Sequence, residues 1–326
     1  MKKNQKINNS TTKTLIAICV SFCIFLIGFS CFSFFMLSSS NNTEEPQSDL
    51  RNYHVLVIGE YKNRYFLEQM YKGANSLSDK YNAIVEFIVP ESEAENILIQ
   101  DLFEYATFVN ADGIIAYINN PEQQIEQPYR IDGSIIPVVT TGQFAPGVNQ
   151  TSFIGNSSWE LGKIFADETK KMLNFSGNIY LINQNSGNNQ IVNSNIINSF
   201  KSEIKHFKPI SFQLLENCED IHKIINIEKL NHKTAFVCLS QEDTLNTAQL
   251  ISEFYPENNF NIIGFGNNET CKMYLIYGNI SKVIYSDPIM IGETAMKELF
   301  EYRTKGYSNS YVTVGTQIMT SINAKK

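Results

Sequence analysis

The feature of this 326-residue sequence that most constrains its fold is a regular alternation of short apolar runs with longer segments of helical periodicity. Tyr53–Ile58 is a short apolar run, typical of a strand buried on both faces, and Arg64–Tyr81 follows with apolar residues at helical spacing. The alternation predicts further strands at Ala83–Val89, Gly113–Ile118, Ile136–Thr140, Gly177–Ile182, Ile210–Leu214, Thr234–Leu239, Asn261–Ile263 and Lys282–Tyr285. It predicts further helices at Ala94–Phe108, Ser157–Asn174, Ile191–His206, Glu219–Leu230, Glu242–Phe254, Asn268–Tyr277 and Pro288–Tyr302.

Alternation of strands and helices is typical of parallel sheets that carry helices on both faces and are connected by right-handed crossovers. The strands fall into two comparable sets, so we expect an α/β fold of two doubly wound, Rossmann-like lobes. Ligands of such folds bind beyond the carboxyl ends of the strands, where loops from several units converge. The fold class therefore predicts a binding cleft between the lobes.

An uncharged apolar segment, Leu15–Leu37, precedes the alternating region. At about 1.5 Å per residue, a segment of this length spans the ~30 Å hydrocarbon core of a bilayer. Lysines precede it and acidic residues follow it. By the positive-inside rule, residues 1–14 form a basic cytoplasmic terminus and the rest of the chain lies outside. Residues 38–50 are polar without periodicity, which predicts a linker.

Two other interpretations of the apolar segment are open. A signal peptide cut at Ser38–Ser40 would normally have an apolar core of only about 7–15 residues. A lipoprotein signal would use Cys31, but Gly28–Ser30 fits the usual preceding residues poorly and more apolar residues follow. The length of the run favours an uncleaved signal anchor, with a single transmembrane helix and the folded region on the extracytoplasmic side of the cell membrane.

Charge and motif content exclude several classes of function. The formal net charge is −7, and the four lysines before Leu15 make the remaining residues more acidic still. Such a surface repels nucleic-acid backbones. The sequence has no phosphate-binding G-K-[ST] loop, no H-E-x-x-H motif, no G-x-S-x-G elbow and no metal-ligand spacing of Cys and His. We therefore expect a protein that is not an enzyme and needs no metal or cofactor.

Six short motifs occur in a fixed order along the chain: Asn63–Phe66 with Gly73-Ala74, Ala111–Ile115, Ile136–Val139, Leu161–Lys163, Ile263–Phe265, and Ser286–Pro288 with Gly292. Together they resemble the ribose- and galactose-type periplasmic binding proteins and the ligand-binding core of lac-type repressors. The resemblance covers almost all of Arg51–Lys326. It implies the type I periplasmic-binding-protein fold, in which two lobes are joined by a hinge. The repressors carry a helix-turn-helix before this core, whereas this chain carries the apolar segment.

The resemblance also implies a division of the chain. Residues 51–142 and 287–315 are expected to form lobe 1, and residues 143–286 and 316–326 to form lobe 2. The implied function is that of a solute-binding protein whose lobes close on a small molecule.

The resemblance and the predicted strand ends together indicate ligand-binding residues. Asn63, Tyr65 and Phe66 occupy the family's first helix opening, where paired aromatic rings cover the face of a sugar. Phe66 falls on the apolar stripe of this helix, whereas Tyr65 lies about 100° away and is freer to face the cleft. The other candidates are Gln143, Trp159, Ser194, Gln241, Glu242, Asn267 and Ser286.

Several positions where sugar-binding members of this family carry charged residues are neutral here. Gly142 and Gln143 stand at the usual Asp and its neighbouring Arg, Gly266 at the Asp of the "GFD" strand, and Ser194 near an expected Arg. Charge-assisted hydrogen bonds are roughly twice as strong as neutral ones. We therefore expect a small polar, sugar-like ligand in a cleft that keeps its aromatic wall and has few charges.

A protein of this kind needs a partner to use its ligand. The partner would be an ABC permease that receives the ligand or a membrane histidine kinase that senses lobe closure. The anchor and the unusual polar residues favour sensing. The alternative is a ligand-free scaffold or interaction protein with a degenerate cleft.

Overall fold

The computed structural model describes residues 52–183, 190–205, 210–227, 233–256 and 260–324. Its strands are β1 (Tyr53–Ile58), β2 (Ala83–Ile88), β3 (Gly113–Ile118), β4 (Val138–Gly142), β5 (Ser152–Gly155), β6 (Gly177–Ile182), β7 (Ile210–Leu215), β8 (Thr234–Cys238), β9 (Asn261–Phe265), β10 (Lys282–Ser286), β11 (Tyr311–Thr313) and β12 (Thr316–Met319). Its helices are α1 (Arg64–Asn75), α2 (Ser78–Tyr81), α3 (Ile99–Phe108), α4 (Ser158–Met172), α5 (Gln190–Ile204), α6 (Asp220–Ile227), α7 (Gln241–Phe254), α8 (Glu269–Tyr277) and α9 (Pro288–Lys305). Short 3-10 turns at Tyr61–Asn63 and Glu93–Glu95 precede α1 and α3.

The strands form two six-stranded sheets of similar design. Sheet 1 has the order β11-β5-β4-β3-β1-β2 and sheet 2 the order β12-β10-β9-β8-β6-β7. The pairs within both sheets are parallel except for the antiparallel β10–β12 pair. The predicted parallel α/β class with two sheets is thus confirmed. We call each sheet with its helices a lobe, numbered as the sheets.

Each sheet is buried on both faces, as its apolar strands require. In β1, Val55 and Val57 join one apolar cluster of lobe 1, and Leu56 and Ile58 join the cluster on the other face. The same alternation occurs in β8 of lobe 2. Successive side chains of a strand point to opposite faces, so a continuous apolar run is stable only when helices cover both.

The chain passes between the lobes three times. It leaves sheet 1 after β5 and enters α4, which packs on β8 and β9 of lobe 2. It leaves sheet 2 after β10 and enters α9, which packs on α1 of lobe 1. The last passage joins β11 of sheet 1 to β12 of sheet 2.

The first passage lies later than expected. The predicted end of the first part of lobe 1 is Gly142, but β5 pairs with β4 in parallel, so lobe 1 continues to Gly155. A strand of only four residues between polar loops gives no readable periodicity. The edge strands β11 and β12 are equally short and were missed for the same reason.

Two predicted helices are shorter in the structure. The segment Arg64–Tyr81 is divided into α1 and α2. The segment Ala94–Phe108 becomes a helix only at Ile99, because the preceding 3-10 turn ends at Asn96 in the left-handed conformation, with φ 46°. Such a residue interrupts a right-handed helix.

Helix α9 approaches α1 at backbone distance through two glycines. A Cβ atom at Gly73 would lie 2.0 Å from the carbonyl oxygen of Ile289, and one at Gly292 would lie 1.9 Å from that of Met70. The start of α9 is fixed by Asp287, whose side chain accepts hydrogen bonds from the backbone N–H groups of the first turn. The first and last parts of the chain therefore share one tightly packed layer of lobe 1.

The predicted transmembrane segment Leu15–Leu37, the basic residues 1–14 and the linker 38–50 lie outside the described residues. Within the ranges that the structure describes, no helix is both long and apolar enough to cross a bilayer.

Candidate functional site

Neutral amide side chains lie level with one another at the carboxyl end of sheet 1. Ile118 is paired with Gly142, and Thr141 with Ile154. Continuing this register places Asn119, Gln143 and Asn156 side by side on three adjacent strands, about 4.8 Å apart. The backbone N–H of Gln143 donates a 2.8 Å hydrogen bond to the Ile118 carbonyl, so the ladder extends this far. We call these three residues the amide row.

Asn119 has an unsatisfied donor. Its Oδ1 accepts a 2.6 Å hydrogen bond from Nδ2 of Asn63, which ends the 3-10 turn after β1. Its own Nδ2 is buried and has no hydrogen-bond partner among the described residues. Leaving a buried donor unpaired costs about 1–3 kcal/mol. A ligand oxygen at the carboxyl end of β3 would remove this cost.

Asn156 connects the passages between the lobes. Its Nδ2 donates a 2.5 Å hydrogen bond to Oγ of Ser286, at the end of β10. The Tyr311 hydroxyl donates to the Asn156 carbonyl at 2.9 Å, and the Val314 N–H donates to the Gly155 carbonyl at 3.0 Å. All three passages are therefore hydrogen-bonded together. Oδ1 of Asn156 is buried and accepts no hydrogen bond within the described part of the chain.

Polar residues also lie at the carboxyl ends of sheet 2. Continuing the pairing of β8 with β9 places Gln241 level with Asn267, and Oε1 of Gln241 accepts a 3.1 Å hydrogen bond from the Asn267 N–H. Asn183 follows β6, and its Oδ1 accepts from Nδ2 of Asn193 at 2.6 Å. Glu242 is exposed in the first turn of α7. The carboxyl end of sheet 2 is thus also rich in amides.

The remaining candidates differ in their surroundings. Phe66 packs edge-to-face on Tyr117, with ring centroids 5.2 Å apart, and borders the lobe 1 core. Trp159 is 47% exposed on α4, and its carbonyl accepts a 2.6 Å hydrogen bond from Oγ of Ser199. Ser194 is exposed on α5. A ligand-binding role for these three residues stays a prediction.

Tyr65 contacts the opposite lobe. Nζ of Lys272, on α8, lies 4.9 Å from the centroid of the Tyr65 ring and donates a hydrogen bond to its hydroxyl. The same ammonium lies 3.2 Å from Oε1 of Glu269, one turn earlier on α8. We call these three residues the interlobe contact. In this conformation Lys272 covers part of the Tyr65 ring face, which is where a sugar would have to stack.

The three groups of the interlobe contact shift one another's pKa values. Burial raises the pKa of the Tyr65 hydroxyl. Hydrogen bonds from Tyr65 and Lys272 hold the pKa of Glu269 below its ordinary value. Burial alone would lower the pKa of Lys272, but its hydrogen bonds with Tyr65 and Glu269 outweigh this effect and raise the pKa.

Replacing Lys272 with Gln should shift the ligand-free protein toward an open cleft. A cation–π contact and a charge-assisted hydrogen bond together contribute roughly 1 kcal/mol at a partly exposed site, so the ratio of open to closed molecules should rise about threefold to tenfold. Distances between spin labels on the two lobes would measure this change. The control is Lys163→Gln, which removes a Lys–Glu pair of 3.1 Å that lies within α4 alone. Equal distance distributions in both variants would contradict the prediction.

The interlobe contact should also depend on pH. Because the pKa of Glu269 is lowered in the folded protein, its contribution is complete above the ordinary value of 4.5 and is lost as the pH falls through the lowered value. Because the pKa of Lys272 is raised, its contribution is complete below 10.5 and is lost as the pH rises through the raised value. We expect the distances between spin labels to show that the wild-type protein opens at either extreme. The Lys272→Gln variant should lose the alkaline contribution of Lys272 and keep that of Tyr65, whose pKa is also raised.

Asn119, Asn156 and Lys272 are not among the residues predicted from the sequence. Asn119 directly follows the predicted strand Gly113–Ile118, and this position is the one signal that could have indicated it. Asn156 follows the missed strand β5, so no sequence signal pointed to the carboxyl end of a strand. Lys272 lies on α8 with its partner Tyr65 on the other lobe, and such a pairing is set only by the tertiary fold.

Comparison with known proteins gives one family match and many similar folds. Residues 55–306 match the family described as periplasmic binding protein domain. No curated protein matches the sequence. The arabinose-binding protein AraP from Geobacillus stearothermophilus is 15% identical, with a TM-score of 0.71 over 84% of this chain and 99% of AraP.

Two further solved structures have the same fold. GanP, a glucose-galactose binding protein from Geobacillus stearothermophilus, is 18% identical, with a TM-score of 0.61 over 84% of this chain and 99% of GanP. XylFII, in its complex with LytSN, is 21% identical, with a TM-score of 0.57 over 83% of this chain and 99% of the matched chain. At these identities the likeness shows the fold alone. Because the family match covers most of the sequence, this chain belongs to the periplasmic binding protein domain family.

Proposed function

We propose that this protein is a membrane-anchored, extracytoplasmic solute-binding protein whose lobes close on a small, neutral, sugar-like molecule. The observation that carries the proposal is the pair of unsatisfied atoms at the carboxyl end of sheet 1, the donor Nδ2 of Asn119 and the acceptor Oδ1 of Asn156. A hydroxyl group both donates and accepts hydrogen bonds. A ligand with several hydroxyls can therefore satisfy both atoms.

The absence of charge in the amide row supports a neutral ligand. A carboxylate or phosphate is normally paired with the side chain of arginine or lysine, and none of the three residues of the row is charged. Similar folds support a sugar, because GanP and AraP are described as glucose-galactose and arabinose binding proteins. This chain shares too little sequence with either to inherit a particular sugar.

The partner is proposed to be a membrane protein, either an ABC permease or a sensor histidine kinase. A similar fold from Bacillus halodurans is described as the sugar-binding protein of a sugar ABC transporter, and XylFII forms a complex with a second protein, LytSN. The uncharged segment Leu15–Leu37 would keep the protein beside such a partner. A permanent anchor favours signalling over delivery.

A thermal-shift panel tests ligand binding. Residues 51–326, purified without added sugar, should melt at a higher temperature with one or more of a set of pentoses, hexoses and polyols. Ligand at 100 times its Kd adds about 2.7 kcal/mol to the free energy of unfolding. A sugar acid and a sugar phosphate serve as charged comparisons and should produce no shift. If no compound in a broad panel raises the melting temperature, the protein is an interaction protein with a degenerate cleft.

Protease protection tests the location. In intact cells stripped of their wall, added protease should digest the folded region and leave the N-terminal segment protected. A folded region that is digested only after lysis would contradict the proposed orientation. Release of a shortened protein into the medium would indicate a cleaved signal peptide instead.

A further inference from the structure

The connection between β3 and β4 contains a small hairpin with an exposed apolar face. Tyr129 forms an antiparallel bridge with Ile135, and the N–H of Arg130 donates a 2.8 Å hydrogen bond to the Ser134 carbonyl. Directly paired residues of an antiparallel bridge have their side chains on one face, so Tyr129 and Ile135 share a face, and Ile131 lies in the turn that joins them. They are 49%, 83% and 48% exposed. Three large apolar side chains are thus exposed to water within a few residues of one another.

A fourth exposed apolar residue, Phe108, lies close to the hairpin in the chain fold. It is the last residue of α3 and is 82% exposed. The backbone N–H of Ile131 donates a 3.0 Å hydrogen bond to Oδ1 of Asn110, two residues beyond Phe108. Helix end and hairpin therefore lie next to each other. We call Phe108, Tyr129, Ile131 and Ile135 the apolar patch.

The hairpin is held rigidly against lobe 1. Arg130 forms an ion pair with Asp112, whose side chain is only 8% exposed. The other carboxylate oxygen of Asp112 accepts a 2.8 Å hydrogen bond from the His54 N–H. A largely buried, doubly bonded carboxylate fixes the hairpin on the amino ends of β1 and β3. The exposure of the apolar patch is thus a fixed feature of the fold.

The apolar patch lies beside the point where the chain enters the folded region. The N–H of Asp112 donates a 2.7 Å hydrogen bond to the carbonyl of His54, the second residue of β1, and the side chain of Asp112 is paired with Arg130. Ile131, the neighbour of Arg130, therefore lies near the amino end of β1. The uncharged segment Leu15–Leu37 ends fifteen residues before Asn52. Even fully extended, this connection reaches only about 50 Å.

We propose that the apolar patch docks on the outer surface of the lipid bilayer and orients the cleft relative to the membrane. The proposal rests on the membrane anchoring described under Proposed function. The apolar patch lies at the amino ends of the strands of sheet 1, whereas the amide row lies at their carboxyl ends. Isoleucine, phenylalanine and tyrosine side chains together suit the boundary between headgroups and acyl chains.

The size of the apolar patch favours lipid over a protein partner. A stable protein interface buries about 1,000 Å² or more in total, which four side chains do not reach. A short connection to an embedded segment keeps the apolar patch near the bilayer at high effective concentration, so a weak and reversible insertion is sufficient. The carboxylate of Asp132 at the hairpin tip disfavours anionic headgroups. Phosphatidylcholine is therefore the lipid to test.

The single tryptophan of the sequence makes the test direct. Trp159→Phe removes the native emission, and Phe108→Trp then places a reporter in the apolar patch. The matched control is Phe254→Trp in the same background, at a 57% exposed position that ends α7 in lobe 2. Tyr53–Lys326 forms one compact unit. Residues 51–326 can therefore be attached by an N-terminal histidine tag to vesicles of phosphatidylcholine and nickel-chelating lipid, which replaces the native anchor.

Bromine atoms on the acyl chains of the vesicles should quench the F108W protein roughly twofold relative to ordinary vesicles, because docked side chains reach the acyl boundary. The F254W protein should keep its emission. Adding Ile131→Asn and Ile135→Asn should abolish the quenching, and the same two changes in the protein that keeps Trp159 should leave its sugar-induced thermal shift unchanged. Equal quenching at both positions, no quenching of the F108W protein, or quenching that survives the asparagine changes would overturn the proposal. Failure to bind any sugar would affect only the proposed function.

Discussion

Replacing Gly292 with alanine is expected to lower the melting temperature of the folded region by about 6–12 °C. The new Cβ atom would lie 1.9 Å from the carbonyl oxygen of Met70 and 2.8 Å from the backbone nitrogen of Ala74. Backbone atoms cannot move aside as a flexible side chain can, so α9 must separate from α1 along its whole contact. An overlap with backbone atoms lies at the upper end of the cost of overpacking, about 3 kcal/mol, and each kcal/mol shifts the melting temperature of a domain this large by about 2–4 °C.

Gly315→Ala is the matched control. This glycine lies in the last passage between the lobes, and a Cβ atom there would meet nothing within 4 Å. The melting temperature of the Gly315→Ala variant should stay within about 1 °C of the wild-type value, since substitutions at the surface usually change the free energy of unfolding very little. Gly73→Ala should resemble Gly292→Ala, and the double variant should cost less than the sum because one separation of the helices admits both Cβ atoms. Additive effects would show that the two glycines do not share one contact.

Replacing Asn119 with alanine is expected to weaken sugar binding by roughly tenfold to a hundredfold. The change removes the unpaired donor Nδ2 and also leaves Nδ2 of Asn63 without its acceptor. Losing a ligand hydrogen bond in a desolvated cleft and leaving a partner unpaired costs about 1.5–3 kcal/mol. The measurement is calorimetric titration with whichever sugar gives the largest thermal shift. In the ligand-free variant, removal of the unpaired donor offsets part of the cost of the lost Asn63 hydrogen bond, so the melting temperature should fall by no more than about 2–4 °C.

Asn178→Ala controls for the loss of an amide elsewhere. Asn178 lies in β6 at the amino end of sheet 2, and its Oδ1 accepts a 2.7 Å hydrogen bond from Oγ of Ser211. Its removal should leave the affinity for the sugar unchanged. If the Asn119 and Asn178 variants bind equally well, the ligand does not lie at the carboxyl end of β3, and the amide row is not the site.

The layered architecture could be predicted from the sequence because a parallel strand that is buried on both faces consists of a continuous run of apolar residues. The strands β1 and β3 have the limits predicted from the sequence. The strands β5, β11 and β12 are three or four residues long, and their pairing is decided by neighbouring strands that are distant in the sequence. Local periodicity carries no information on such partners.

The candidate site could be predicted only in part, for a related reason. Gln143, Gln241, Asn267 and Ser286 lie at the carboxyl ends of strands, as a parallel fold requires. Helical spacing separated Phe66, which borders the core, from Tyr65, which does not belong to it. The contact that Tyr65 makes with Lys272 spans 207 positions of the chain, and the bond between Asn156 and Ser286 spans 130. Pairings over such separations depend on how the lobes are joined, which no local pattern encodes.

The placement of α9 has a consequence for how the protein can be made. Lobe 1 contains the first five strands, but its layer on α1 is completed by a helix near the carboxyl end of the chain. During synthesis the amino end of the chain emerges first. The side of α1 that carries Gly73 therefore stays exposed until lobe 2 and then α9 have been synthesised. Unfinished lobes of this kind are prone to aggregation and proteolysis. The two lobes cannot mature as independent modules, and a chain interrupted before Pro288 should be degraded rather than retain half of its structure.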